Sequence, residues 1–203
     1  MQEALDFLKE FVEGKVSGPE LEATLSENSG LEMLLSDDSL NWTGTYVSAS
    51  GPFLYLAALN LKTIVGCYDA QGLIQLFLTK KEISFSVYKG YEERYSLILE
   101  TQPGYIDADT VFVEKYILPA AEGLKVKSEI KQAIKGRFNE LFRYHKKAPK
   151  WIQSPQWIIK EDRPLFFLGQ FEIKDCQLFK DNGFVYLFVN EDNGAIESVK
   201  QFY

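Results

Sequence analysis

Only one side chain in the sequence, His145, has an unperturbed pKa near neutrality, which makes it the first candidate for proton transfer. The string RYHKK surrounds it with cations that disfavour a further positive charge. No GxSxG, reactive-cysteine signature or other nucleophile motif accompanies it, so a solvated histidine at a helix end is the expected role. Cys67 and Cys176 are far apart and form no CxxC. With a single histidine they cannot complete a zinc site of the Cys/His kind, and they read as small buried residues of a reduced protein. The carboxylates that an acid and base pair, or a metal-assisted hydrolase site, would draw on are Asp107, Asp109, Glu114, Glu191 and Asp192. Asp107 and Asp109 are better explained as helix caps, and Glu191 and Asp192 as leading into a turn at Asn193-Gly194. Calcium-loop, P-loop and GxGxxG spacings are absent. The residues assign no catalytic group, cofactor or metal.

Charge is more informative than any of these motifs. Twenty-two Lys and Arg face 29 Asp and Glu, a net charge of −7 with a pI near 4.9. Residues 125–150 hold nine Lys or Arg and two Glu, so a +7 segment is set into a remainder of −14. Lys127, Lys131 and Lys135 recur every four residues opposite Ile130 and Ile134, the pattern of a solvated helix face. The overall negative field disfavours nucleic acid and anionic membranes; it suits a basic protein partner and equally suits ordinary solubility. Trp151, Trp157, Glu191 and Asp192 are the candidate partner contacts, although tryptophans beside prolines more often close a core with their N–H groups on carbonyls. Gln153, Gln170 and Gln201, in or beside apolar runs, must face water or bond to the backbone.

These groups have to be positioned by identifiable elements. Ala4, Leu5, Leu8, Phe11 and Val12 predict an amphipathic helix ending near Gly14, with neither the basic start nor the apolar stretch of a secretory signal. No apolar run approaches the roughly 18–20 residues of a membrane span, so a cytoplasmic protein is expected. Ser17, Pro19 and Glu20 predict a capping-box start for a second helix to about Leu25, and Leu31–Leu35 a third packing back on the first. The SDDS run at 36–39 reads as a solvated loop. Pro52–Leu61, apolar nearly all round, fits a buried helix or a strand, its length and alanines favouring the helix, and Asp69 predicts the cap of one ending at Lys80 and Lys81. ISFSVYKGY alternates like a short strand. Asp107 or Asp109 is expected to cap a helix through Leu118 that Pro119 closes, and Ser128 one whose stripe is Ile130, Ile134, Phe138, Leu141 and Phe142. Pro149, Pro155 and Pro164 predict an extended surface path over 149–164. Three strands follow, Leu165–Ile173, Phe184–Asn190 and Ile196–Tyr203, with Asn-Gly turn signals at 181–183 and 192–194. The fold class is α+β: a mostly helical region 1–145 and, over 146–203, an extended Trp/Pro segment with an antiparallel β-meander, packed as one unit.

PKWIQSPQWIIKEDRPLFFLGQ, followed by DNGFVYLFVNEDNGAIESVKQFY, resembles the C-terminal portion of a bacterial family similar to immunity proteins of contact-dependent or polymorphic toxin systems. The likeness extends upstream through ALNLKTIVGCYDAQGLIQLFL, ERYSLILETQPGYID and IKQAIKGRFNELFRYHKKAPKW, over residues 50–203. PLFFLGQ also resembles an "FLGQ" strand of a broader bacterial set. Ile158-Ile159 departs from the pattern, where a proline is expected after the tryptophan; this alters a local turn and not the fold. The resemblance brings no catalytic residues. It implies a non-enzymatic cytoplasmic protein that neutralises a cognate bacterial toxin by covering its active site or locking its conformation, with no nucleic-acid or membrane partner. The competing expectations are a hydrolase-type enzyme with a carboxylate or metal-assisted site between helices and sheet, and a general protein–protein adaptor.

Overall fold

Helix α1 (Gln2–Val12) forms because apolar residues return every three to four positions, and it buries Ala4, Leu8, Phe11 and Val12. Each large apolar side chain so buried contributes about 1.5–3 kcal/mol. The computed structural model describes residues 2–37, 39–47, 50–175, 177 and 179–203, and α1 opens the first of two compact units, Met1–Leu97 and Ile98–Tyr203. Helix α2 (Gly18–Glu27) starts with the expected capping box: Ser17 Oγ accepts from Glu20 N while the Glu20 carboxylate accepts from Ser17 N at 2.7 Å. Helix α3 (Ser29–Leu35) buries Leu31, Leu34 and Leu35 and packs on α1. In the loop after it, Asp37 pairs with Lys81, and Asp38 lies outside the described residues.

Helix α4 (Gly51–Ala58) forms where its composition predicts, but it is not a buried helix. Only Pro52 and Leu56 are buried, and Leu54 is 60% exposed. Helix α5 (Ile64–Lys80) begins earlier than Asp69 predicts, because Thr63 takes the cap, its Oγ1 accepting from Gly66 N at 3.0 Å. Asp69 therefore sits within the helix, and Lys80 and Lys81 end it as expected. Residues 83–89 keep the predicted alternation, with Ile83, Phe85 and Val87 packed on the core, yet they form no strand. Their backbone bonds elsewhere: Tyr88 N donates to Val12 O at 2.9 Å, and the buried Gln71 Nε2 donates to Tyr88 O and Val12 O. Helix α6 (Gly90–Thr101) follows.

In the second unit Asp109 caps α7 (Thr110–Phe112), its carboxylate accepting from Val111 N at 2.7 Å. The expected regular helix does not continue. The chain passes through a π turn at Val113–Ile117 and a 3-10 turn at Leu118–Ala121, where Pro119, lacking an N–H, sits inside the turn. Helix α8 (Lys127–Leu141) starts one residue before Ser128, so Ser128 lies in its first turn and Val126 occupies the cap without a side-chain bond. Ile134, Phe138 and Phe142 are buried.

The path after Pro149 is not confined to the surface, since Trp157 is 7% exposed. A two-residue antiparallel pair, β1 (Ile159–Lys160) and β2 (Arg163–Pro164), precedes the sheet β3 (Phe166–Ile173), β4 (Gly183–Val189) and β5 (Ile196–Phe202), antiparallel in the order β3-β4-β5. The α+β class is as predicted. Gly194, at φ +72°, makes the β4–β5 turn that its Asn-Gly signal announces. Gly183 does not turn: it pairs with Phe202, where a Cβ would collide with the Gln201 carbonyl. Cys176, in the connection before it, lies outside the described residues. The change from helix to strand follows α8, whereas the compact units divide at Leu97.

Irregular backbone at 150–154 is held by glutamine side chains. Gln201, 1% exposed, accepts from Ile152 N and Gln153 N at 3.1 Å each and donates to Ser154 O at 2.8 Å. Gln170 brackets Lys150, accepting from its N–H and donating to its carbonyl. Gln201→Leu removes three bonds to partly buried backbone groups, of which Ile152 N keeps the Tyr186 hydroxyl, so the second unit should lose roughly 1–3 kcal/mol in urea unfolding followed by tryptophan fluorescence. An unchanged midpoint would show that these bonds do not hold the segment.

Candidate functional site

Helix α5 is apolar apart from a few positions, and its Tyr68, Asp69, Gly72 and Gln75 come to one side at helical spacing. Together with Tyr46, Tyr55 of α4, Gln71, Val87, Lys89 and Glu92 they line a cavity of about 480 Å³ within the first unit. The rings of Tyr46 and Tyr55 meet at 5.2 Å and 59°, and Tyr68 stacks on Tyr95 at 5.5 Å. Lys89 is paired with Glu92 at 3.0 Å. Both Nε2 hydrogens of Gln71 are committed to backbone carbonyls, which leaves its Oε1 as an acceptor.

Asp69 is half-buried, and loss of hydration holds its carboxyl above the usual carboxylate value. Burial pushes the Tyr46 and Tyr55 hydroxyls upward as well, followed at Tyr46 by Tyr55 and then Asp69, and at Tyr55 by the charge of Asp69. Other carboxylates shift the opposite way because a donor holds them: Glu13 by Lys15, Glu20 by Ser17, Asp37 by Lys81, Glu100 by Lys131 and Asp162 by Lys115. Among the described residues Asp69 has no hydrogen-bond or ion-pair partner. A negative group, several acceptors and aromatic faces are a setting for a cation.

The residues singled out from the sequence fall elsewhere. Trp157 lies in the core of the second unit among Phe142, Phe167 and Phe188, its N–H donating to Leu165 O at 2.9 Å. Trp151 packs on Tyr186 at 4.3 Å and donates to Tyr105 O. Both N–H groups are satisfied, with Trp157 buried and Trp151 half-buried. Glu191 pairs with Arg143 and Asp192 with Arg163, and with Asp162 they border a cavity of about 340 Å³. Asp109 is spent on its cap, Asp107 is exposed and Glu114 half-buried. His145 is exposed, with its backbone N–H on Phe167 O. Cys67 is buried, its thiol donating to Leu61 O at 3.1 Å. Among the described residues no three His, Cys, Asp or Glu side chains cluster as a metal site, and no helix is long and apolar enough to cross a membrane.

Sequence reading missed Asp69, Tyr46, Tyr55 and Tyr68. The available signal was the single acid inside a largely apolar 17-residue helix, which cap preference explained away. The units also redraw the charge. The first holds fourteen Asp and Glu against seven Lys and Arg, and the second fifteen of each, so all of the −7 belongs to the unit that contains the cavity.

No family model, curated protein or solved structure matches the chain. The likeness to immunity proteins therefore rests on the quoted motifs alone.

The raised carboxyl of Asp69 sets a pH dependence. Its contribution to stability is fully present below the ordinary value of 3.8 and is lost as pH rises through the higher folded-state value. Asp69→Asn, which mimics the protonated form, should be more stable than the parent at pH 7 by about 1 kcal/mol or less and equal to it below that value. A less stable variant at pH 7 would show that Asp69 already has a partner.

Proposed function

We propose that the protein acts by binding and not by catalysis, as a cytoplasmic, toxin-neutralising protein whose acidic first unit covers a basic protein. The observation that carries this reading is the cavity around Asp69, negative, rich in acceptors and walled by tyrosines, in the unit that holds the whole net charge. A field of one sign raises the encounter rate with an oppositely charged partner and disfavours acidic competitors. Helix α4 adds apolar surface beside the cavity: Leu54, Ala57 and Ala58 are exposed on an element that also supplies Tyr55. The motifs over 149–203 add the toxin as the class of partner. A general adaptor would share this chemistry and differ only in what it binds. A hydrolase would need a second acid or a nucleophile facing Asp69; the cavity supplies Glu92, already paired with Lys89, and tyrosine hydroxyls.

Co-expression with the product of the adjacent gene tests the reading. Protection from a toxin encoded there, with a complex that co-purifies, is the expected result. If no neighbouring gene encodes a secreted toxin and no protection is gained against such toxins, the reading fails. Within the complex, Glu27→Lys with Glu32→Lys should slow association about tenfold at low salt and flatten its salt dependence, while His145→Ala changes neither. Stopped-flow association rates over a salt series would decide this.

A further inference from the structure

Resting on that binding reading, we infer that the tyrosine-lined cavity receives the guanidinium of an arginine side chain presented by the partner. Three features of the cavity select this group. The first is charge: Asp69 stands without an ion-pair partner among the described residues, while the other charged groups of the lining, Lys89 and Glu92, neutralise each other at 3.0 Å. The cavity therefore carries one uncompensated negative charge in a partly desolvated setting, where a cation is held more strongly than on an open surface.

The second is the wall. Tyr46, Tyr55 and Tyr68 place aromatic rings around the space, and ring faces attract cations, most readily a planar one that can also stack. Tyr46 is 60% exposed, so the cavity is reachable from solvent past this ring. The third is hydrogen-bonding capacity. Asp69, Gln75, the Gln71 carbonyl and the tyrosine hydroxyls offer more acceptors than an ammonium can use with three N–H groups. A guanidinium supplies five in a fixed plane, two of them matched to a carboxylate. A quaternary ammonium has no N–H and would leave the acceptors unpaired.

The test is a titration of the ¹⁵N-labelled full chain at low salt with N-acetyl-L-arginine amide, its neutral citrulline counterpart, N-acetyl-L-lysine amide and tetramethylammonium chloride. The arginine compound should bind in the millimolar range, shift amides around Asp69, Gly72 and Gln75, and bind about tenfold more tightly than the lysine compound. The citrulline compound should give no such shifts. Asp69→Asn and Tyr46→Ala should each weaken arginine binding about tenfold, with folding verified by the unchanged dispersion of the remaining amides. Equal binding of citrulline, tighter binding of lysine or tetramethylammonium, shifts confined to other surfaces, or an unaffected Asp69→Asn variant would each overturn the inference. The co-purification experiment is scored separately. A complex that forms while arginine fails to bind overturns the guanidinium and leaves the binding reading standing; arginine binding without any protein complex does the reverse.

Discussion

Backbone polar groups that leave water must be paired, and this chain has long irregular stretches in which no helix or sheet can pair them. Side-chain carboxamides do so instead, two of them, Gln71 and Gln201, buried. Gln71 bonds the carbonyl ending α1 and the carbonyl of Tyr88, tying helix, central helix and extended segment together in the first unit. Gln201 and Gln170 hold residues 150–154 on the sheet in the second. A glutamine suits this task because one planar group both donates and accepts, so it replaces the missing neighbour strand at a single point. Fold and site share a residue as a consequence: Gln71, whose amide bonds Val12 and Tyr88, also lines the Asp69 cavity.

Local signals in the sequence were readable where one interaction decides the outcome. The capping box at Ser17 and Glu20, the stripe of α1 and the Asn-Gly turn before β5 all involve neighbours in the chain. Misreadings arose where two local preferences compete or where a partner comes from far away. Thr63 and Asp69 are both good caps, and only the folded chain shows that Thr63 took the role. Residues 83–89 alternate as a strand does, because every second side chain meets the core, but alternation says nothing about whether a neighbouring strand exists. Pro119 was expected to end a helix and instead sits in a 3-10 turn that follows a π turn.

The site was less readable than the fold for a related reason. Its tyrosines come from the segment before α4, from α4 and from α5, and their convergence on Asp69 is a tertiary event. Charge was readable only in total. Grouped along the chain, it looked like a basic segment within an acidic body; grouped by compact unit, the basic helix α8 is balanced by acids of its own unit, and the first unit alone carries −7. Steering and the unpaired carboxylate then point to the same unit, which neither observation would establish alone.

Hydrogen–deuterium exchange of the chain, alone and in complex with the protein that co-purifies from the adjacent gene, tests this account most directly. The account predicts new protection in the first unit over residues 46–58 and 68–92, with the exchange of the sheet β3-β4-β5 unchanged. Protection confined to the second unit, with the segments around Asp69 exchanging as in the free protein, would contradict it.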